Sequence, residues 1–222
     1  MNETHAFASD PRRPVALVVG IVAAIAFVAL DYVIYLDGRQ PLPIDVWWHK
    51  LMLGYLTEPG VVAAFVPSIV GGTIGMIVIA IGLVVVFIWR KRRWDAANIA
   101  IAIAVVVAIG APMSYIVARV RPSDSLAEST ATSFPSGHTA VATTLAITLG
   151  LLLRRWYVWV GGILWVVWMM WARTYLHAHW LSDVIAGLLE GIAVATLVWC
   201  AIEAIRVRRA RRSADAAVAH QS

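Results

Sequence analysis

Little of this chain is charged, and almost none of it is sulfur. One cysteine, Cys200, stands among 222 residues, which excludes an internal disulfide and a multi-cysteine metal site. It lies in an apolar run and reads as a small packing residue. Charged residues make up 14% of the chain, against about 25% in ordinary soluble domains. That shortage, with long runs that carry no charge at all, excludes an ordinary soluble domain and points to an integral membrane protein. No long linker, clear internal repeat or separate soluble domain interrupts the pattern.

What is present fits a bilayer. Hydrophobic residues make up 61% of the chain, with eleven tryptophans, and indole rings favour the lipid–water interface. The formal net charge is +5. A nucleic-acid partner is not expected from it, because the Lys and Arg lie in short clusters between apolar runs, the pattern of membrane orientation. About 20 apolar residues cross a bilayer as a helix. On that basis the sequence predicts an all-α bundle of six transmembrane helices at 15–36, 68–89, 97–118, 138–153, 157–176 and 183–205. The run from Val15 to Leu36 reads as an uncleaved first span rather than a signal peptide. The mixed stretch 41–67, with Trp47, Trp48, His49 and Lys50, reads as a short interfacial helix and turn. The domain plan is an N-terminal tail at 1–14, the helical domain at 15–205 and a basic tail at 206–222. With the N-terminus inside, thirteen of the eighteen Lys and Arg fall on the cytoplasmic side. The positive-inside rule then places both termini in the cytoplasm of a multi-pass protein of the cytoplasmic membrane.

The five outer cations are the informative ones: Arg39, Lys50, Arg119, Arg121 and Arg173. Three of them sit at the outer ends of the third and fifth spans, level with His138, His177, His179 and Asp183. Ionisable groups gathered at one depth of a membrane protein mark a site. In VARVRPSD, Pro122 cannot continue a helix, so the third span is expected to end there. Read alone, an arginine at a helix C-terminus serves the helix dipole and snorkels to the interface. In FPSGHTA, Ser136 or Gly137 can cap the fourth span. The free N–H groups of a first helical turn form an anion site, and Gly137 lets an anion approach the backbone closely. In WARTYLHAHWLSDVIAG, His179 and Asp183 are spaced i, i+4 and share a face if that segment is helical. A carboxylate beside an imidazole fixes its tautomer.

Arg121–Pro122, Pro135–Ser136–Gly137–His138 and Arg173-x5-His179-x3-Asp183 together resemble the three-part signature of the type 2 phosphatidic acid phosphatase family, which includes the vanadium-dependent haloperoxidases. Three motifs in order make the likeness specific. The resemblance implies a membrane lipid phosphate phosphatase, with no metal or cofactor, acting through a phosphohistidine. His179 would be the nucleophile, Asp183 its orienting partner, and His138 the general acid and then base. Arg121, Arg173, Ser136 and the Gly137 amide would hold the phosphoryl oxygens. The implied substrate is a lipid phosphate reached from the outer leaflet: phosphatidate, phosphatidylglycerol phosphate, or a polyprenyl phosphate or pyrophosphate. One departure stands out. The family's first motif begins with Lys seven residues before this arginine, and here that position is Ser114. Two helical turns would put Ser114 and Arg121 on one face. Arg119 is a candidate to replace the missing charge, though a continuing helix would point it away from that face. The loss keeps a second class open, a weakened binding or transport protein on the same scaffold. A haloperoxidase fits less well, since those are typically soluble and larger.

Other residues have plainer readings. His177 reads as an interface residue or pocket wall. Asp31 and Glu190 lie inside apolar spans, where charge costs a few kcal/mol; Glu190 shares a helix face with Asp183 and is either its partner or a protonated, hydrogen-bonded acid. Gly187 and Gly191 form a small-xxx-small pair suited to tight helix packing.

Overall fold

Backbone amides have no partner in lipid except one another, so apolar runs of this length fold as helices. The computed structural model describes residues 10–219, so part of each predicted tail, residues 1–9 and 220–222, lies outside the described residues. Eight helices appear: α1 (Arg13–Leu36), α2 (Pro43–Gly54), α3 (Glu58–Val70), α4 (Thr73–Trp89), α5 (Arg93–Val117), α6 (Gly137–Leu153), α7 (Trp156–Tyr175) and α8 (Leu181–Ala219). Among the described residues there is no strand, only one isolated antiparallel bridge between Val120 and Thr132. The outer surface is apolar: Val15, Ile25 and Val28 of α1 are all more than 60% exposed. Such a surface is stable against acyl chains and not against water.

The helix α8 is the hub, packed chiefly against α6 and α1 and also against α5. Its two glycines explain the closest of these approaches. A Cβ on Gly187 would stand 2.5 Å from the Ser136 carbonyl oxygen, and one on Gly191 would stand 2.7 Å from that of Ala140. Only glycine lets the two backbones come this near. The packing reading of this pair holds, and it has a consequence for chemistry. It sets the first turn of α6, with His138, beside the start of α8, with Asp183.

Several boundaries differ from the sequence expectation. Three helices are long and apolar enough to cross a membrane, α1, α5 and α8, or four if α3 and α4 count as one bent span. The expected second span at 68–89 is divided. α3 ends at Val70, Gly71 and Gly72 form the break, and α4 begins at Thr73. The two halves meet at 48°. Close packing favours glycine here: a Cβ on Gly71 would come within 2.7 Å of the Pro67 carbonyl oxygen. The stretch 41–67 holds two helices, not one helix and a turn. α6, with 17 residues, is about 25 Å long. α7 is rich in tryptophan, whose indole N–H lowers its hydropathy. Finally, α8 does not stop near residue 205 but runs unbroken through the basic segment to Ala219. The Ala and Arg of that segment are good helix formers.

Candidate active site

The third predicted span ends earlier than Pro122. α5 stops at Val117, and Ala118 takes a left-handed C-cap conformation with φ 48°. The chain then runs extended and returns on itself. Arg121 N–H donates to the Ala131 carbonyl at 3.1 Å, and Ser133 N–H donates to the Arg119 carbonyl at 2.9 Å. Ser114 and Arg121 therefore do not share a helix face. They meet instead across a cavity of about 950 Å³, whose polar lining includes Ser114, Arg121, Glu128, Ser133, His138 and His179.

His179 lies in the turn between α7 and α8 and is 6% exposed. Its Nδ1 is 2.7 Å from the Ser133 carbonyl oxygen. A carbonyl can only accept, so Nδ1 carries the proton and Nε2 keeps its lone pair. Asp183 Oδ2 is farther from Nδ1, at 3.8 Å. It accepts instead from the Trp180 N–H at 2.9 Å. The direct orienting partner is thus the Ser133 carbonyl, with Asp183 as a nearby charge. Burial pushes the His179 imidazole below its ordinary value of 6.5, against the opposing effect of Asp183. A buried ring has lost the water that would stabilise its cation.

His138 occupies the first turn of α6. Its titratable neighbours are Arg173, His179 and Glu128. Its ring reaches the α3–α4 break, where a Cβ on Gly72 would lie 3.7 Å from Nε2. A Cβ on Gly137 would meet nothing within 4 Å. The amides of that first turn are not consumed by the helix itself, so the α6 N-terminus presents donors to an open space.

The four other predicted contacts divide. Arg173, at the end of α7, is 1% exposed. Its guanidinium donates to Ser68 Oγ and, at 2.5 Å, to Glu128 Oε1, and it reaches the cavity through that glutamate. Arg121 is tied to the Thr130 carbonyl at 2.8 Å, to the Thr132 carbonyl at 2.5 Å and to the Ala178 carbonyl. Ser136 is fully buried. As the N-cap of α6 its Oγ faces Thr139, 3.1 Å from Thr139 Oγ1, and it does not line the cavity. Arg119 is also turned away. It is fully buried and donates to Asp183 Oδ1 at 2.6 Å, Ser182 Oγ at 2.7 Å and Asp45 Oδ2 at 2.6 Å. The charge missing at Ser114 is not restored by Arg119, and Ser114 Oγ pairs with Thr132 Oγ1 at 2.7 Å.

Two functional carboxylates escaped the sequence reading. Asp45, at the third position of α2, is fully buried. It caps α2 through the Leu42 N–H at 2.9 Å and joins Arg119 to Ser182. An acid just inside a Pro-initiated helix is a capping signal that could have found it. Glu128 lies in the α5–α6 loop, where nothing in the sequence marks it. It lines the cavity and accepts from Arg173. Burial alone would raise its pKa, but Arg173 foremost, with His138 and Arg121, holds it below the usual 4.5. Glu190 is buried with neither carboxylate oxygen hydrogen-bonded among the described residues. It sits behind Gly110, whose added Cβ would be 3.3 Å from Oε1, and it does not contact Asp183.

A family model described as the PAP2 superfamily matches residues 96–206, the stretch that holds every residue of this cavity named above. Over 117 residues, half of the chain, the sequence is 31% identical to an undecaprenyl-diphosphatase of Sulfolobus acidocaldarius. The match spans 56% of that relative's length. Among solved structures, a transmembrane PAP2-type phosphatidylglycerolphosphate phosphatase of Bacillus subtilis superposes with a TM-score of 0.71, at 17% identity, over 81% of this chain and 93% of that one. LpxE of Aquifex aeolicus superposes with a TM-score of 0.63, at 21% identity, over 71% and 96%. At such identities the likeness speaks for the fold.

Proposed function

Because the chain belongs to the PAP2 superfamily, we propose that it is a phosphatase of membrane lipid phosphates, working through a phosphohistidine on His179. The observation that carries this reading is the proton placement at His179. A Nδ1–H bond to the Ser133 carbonyl at 2.7 Å leaves a neutral imidazole with a free Nε2 lone pair, in a cavity shared with His138 and Arg121.

In this mechanism Nε2 attacks phosphorus as the bond from phosphorus to the leaving lipid oxygen breaks. His138 gives its proton to that oxygen. It then takes a proton from water, which attacks the phosphohistidine and releases inorganic phosphate and free His179. Arg121, the Gly137 amide and Arg173 offset charge on the equatorial oxygens once Glu128 has swung aside. Such preorganised donors supply much of the rate enhancement in phosphoryl transfer. Acid–base help from His138 is worth about 10²–10⁴-fold. The chain itself supplies the nucleophile, the acid and the cations, so the reaction is proposed to need no metal.

The relative in Sulfolobus favours a polyprenyl diphosphate as substrate; phosphatidate and phosphatidylglycerol phosphate are the other members of the class. We place the six apolar segments across the cytoplasmic membrane, both termini inside and the cavity at the outer leaflet, where an acyl or prenyl tail stays in lipid while its head group enters. The apolar lower lining, with Met76, Ile103, Val107 and Val141, suits such a tail. Purified protein tested on these lipids in detergent, with and without chelator, checks the reading. Phosphate release that chelator leaves intact and that His179→Ala and His138→Ala abolish is expected. Normal release by either variant overturns the assignment.

A second reading has one observation in its favour. The side chains of Arg121 and Arg173 are already engaged by protein oxygens, and Ser114 stands where the family has a cation. A binding or transport protein would move or hold lipid phosphate with no release of phosphate in the same assay.

A further inference from the structure

Away from the cavity, the turn after α7 carries a second cluster of titratable groups. His49 of α2, Asp124 of the α5–α6 loop and His177 of the α7–α8 turn come together from three separate elements. Asp124 Oδ2 stands 3.1 Å from His49 Nε2 and 2.8 Å from His177 Nδ1. The two imidazole rings are 4.4 Å apart and tilted by 45°, and the His49 ring also rests on Trp180 at 5.3 Å. None of the three residues lines the cavity of His138 and His179.

The left-handed backbone of His177, φ 52°, is the usual way a helix such as α7 ends, but one feature is left unexplained by a role as pocket wall. The residue is 1% exposed, with Nε2 unpartnered among the described residues. The only polar outlet of this buried ring is therefore Nδ1, aimed at Asp124 and His49.

Two imidazole nitrogens and one carboxylate oxygen all lie within 4.8 Å of one another. Zinc takes such donors at about 2.0–2.2 Å in tetrahedral geometry, which sets them about 3.3 Å apart. The separations here to Asp124 require only small adjustments to reach that. Imidazole-rich donor sets suit zinc and its neighbours among the transition metals, and not magnesium or calcium. Asp124 is 43% exposed along its side chain, so a fourth position faces solvent.

We propose that His49, Asp124 and His177 form a site for one divalent transition-metal ion of the zinc class, completed by water. The ion ties α2 and the α5–α6 loop to the turn that carries His179 two residues later. It stabilises that outer cap and does not touch the phosphoryl group, so the site is compatible with metal-free chemistry and independent of the proposed reaction. No short ligand spacing announces it, because these three donors are 75 and 53 residues apart along the chain.

The test uses the full chain without a histidine tag, purified in detergent and stripped with chelator. Zinc sulfate is titrated by calorimetry, and bound metal is counted by mass spectrometry. The expected result is one zinc per chain, bound at least about tenfold more weakly by His49→Ala and by Asp124→Asn. Zinc should raise the melting temperature of the wild type and not of the variants. Cobalt should give the visible absorption of a four-coordinate site in the wild type alone. Both substituted positions are partly exposed, so the metal-free variants should melt with the metal-free wild type and report on binding cleanly. Absence of stoichiometric zinc, or zinc bound equally well by both variants, overturns the proposal; the second outcome would put the metal elsewhere.

Discussion

Arg119, past the end of α5, and Arg173, in the last turn of α7, are 0% and 1% exposed and each holds a carboxylate at 2.5–2.6 Å. At the opposite end of the bundle, the side chains of Arg92, Arg154 and Arg206 are 40–62% exposed and also pair with carboxylates at 2.5–2.7 Å. The distances are alike and the settings are not. A buried guanidinium has given up its water, and removing its partner leaves a charge that nothing else solvates; such breaks cost about 3–5 kcal/mol. At the inner end only the guanidinium is exposed, its carboxylate partners being 2–19% exposed; it keeps its water whether paired or not, and such pairs contribute about 1 kcal/mol or less. One end of the molecule therefore uses arginine to fix geometry around the cavity of His138 and His179. The other uses it to tie helix ends together.

The largest effect expected from this contrast is at Asp45. Asp45→Ala strips Arg119 of one of its two carboxylates and frees Ser182; with Asp183 still paired to the guanidinium, the buried donors left unmade are predicted to lower stability by about 2–3 kcal/mol, measured by denaturant titration in detergent. A loss within about 1 kcal/mol would erase the distinction between the two ends. Next comes Glu128. Its carboxylate holds Arg173 at 2.5 Å and so competes with any incoming anion. Glu128→Gln is predicted to tighten vanadate or phosphate inhibition about tenfold, which corresponds to about 1.4 kcal/mol. Unchanged or weaker inhibition would mean that the glutamate is no competitor.

The pH response sharpens the same point. Burial first, then the Arg173 and Arg121 charges, depress the His179 pKa below 6.5. Between that lowered value and 6.5 the unfolded chain binds more protons than the folded one. Stability therefore rises with pH through this window and is lost as pH falls below 6.5. The neutral nucleophile likewise persists below 6.5, so the acid limb of kcat/KM should lie below that value. A limb at or above 6.5 would show a solvent-like imidazole.

The smallest effect is expected at the inner end. Asp10 is held at a pKa of about 2, chiefly by its hydrogen bond from the Arg12 side chain, with Arg154 contributing least. Arg12 alone makes three hydrogen bonds to it. Arg154→Ala should thus cost about 1 kcal/mol or less, and a larger loss would show that exposure does not discount this pair.

The sequence made the parts of the molecule that depend on local rules readable. Apolar runs located α1, α5 and the start of α8 to within a few residues, and the capping residues of FPSGHTA placed the start of α6. His138, His179 and Arg121 reach one cavity because their motifs sit at helix ends that the bundle brings together. What stayed hidden was set by pairing across the chain. Asp45 looks like a helix cap until α2 is laid against α8. Glu128 is one acid in a polar loop until that loop folds back toward α7. Arg119 is a candidate for the missing charge in the sequence, although a continuing helix would point it away from Arg121; Ala118 ends the helix first, and two buried carboxylates claim the guanidinium. The break at Gly71–Gly72 is masked by apolar residues on both sides, and only close packing reveals why glycine stands there.

The central claim, that the imidazole of His179 carries the phosphoryl group, has a direct measurement. The purified enzyme is mixed with excess polyprenyl diphosphate, quenched in alkaline denaturant within the first turnover, digested and read by mass spectrometry. A phosphoryl group on the peptide bearing His179, absent when His179→Ala is treated the same way, is the predicted result. Phosphate released at the normal rate with no phosphoryl group on His179 at any quench time would contradict the account.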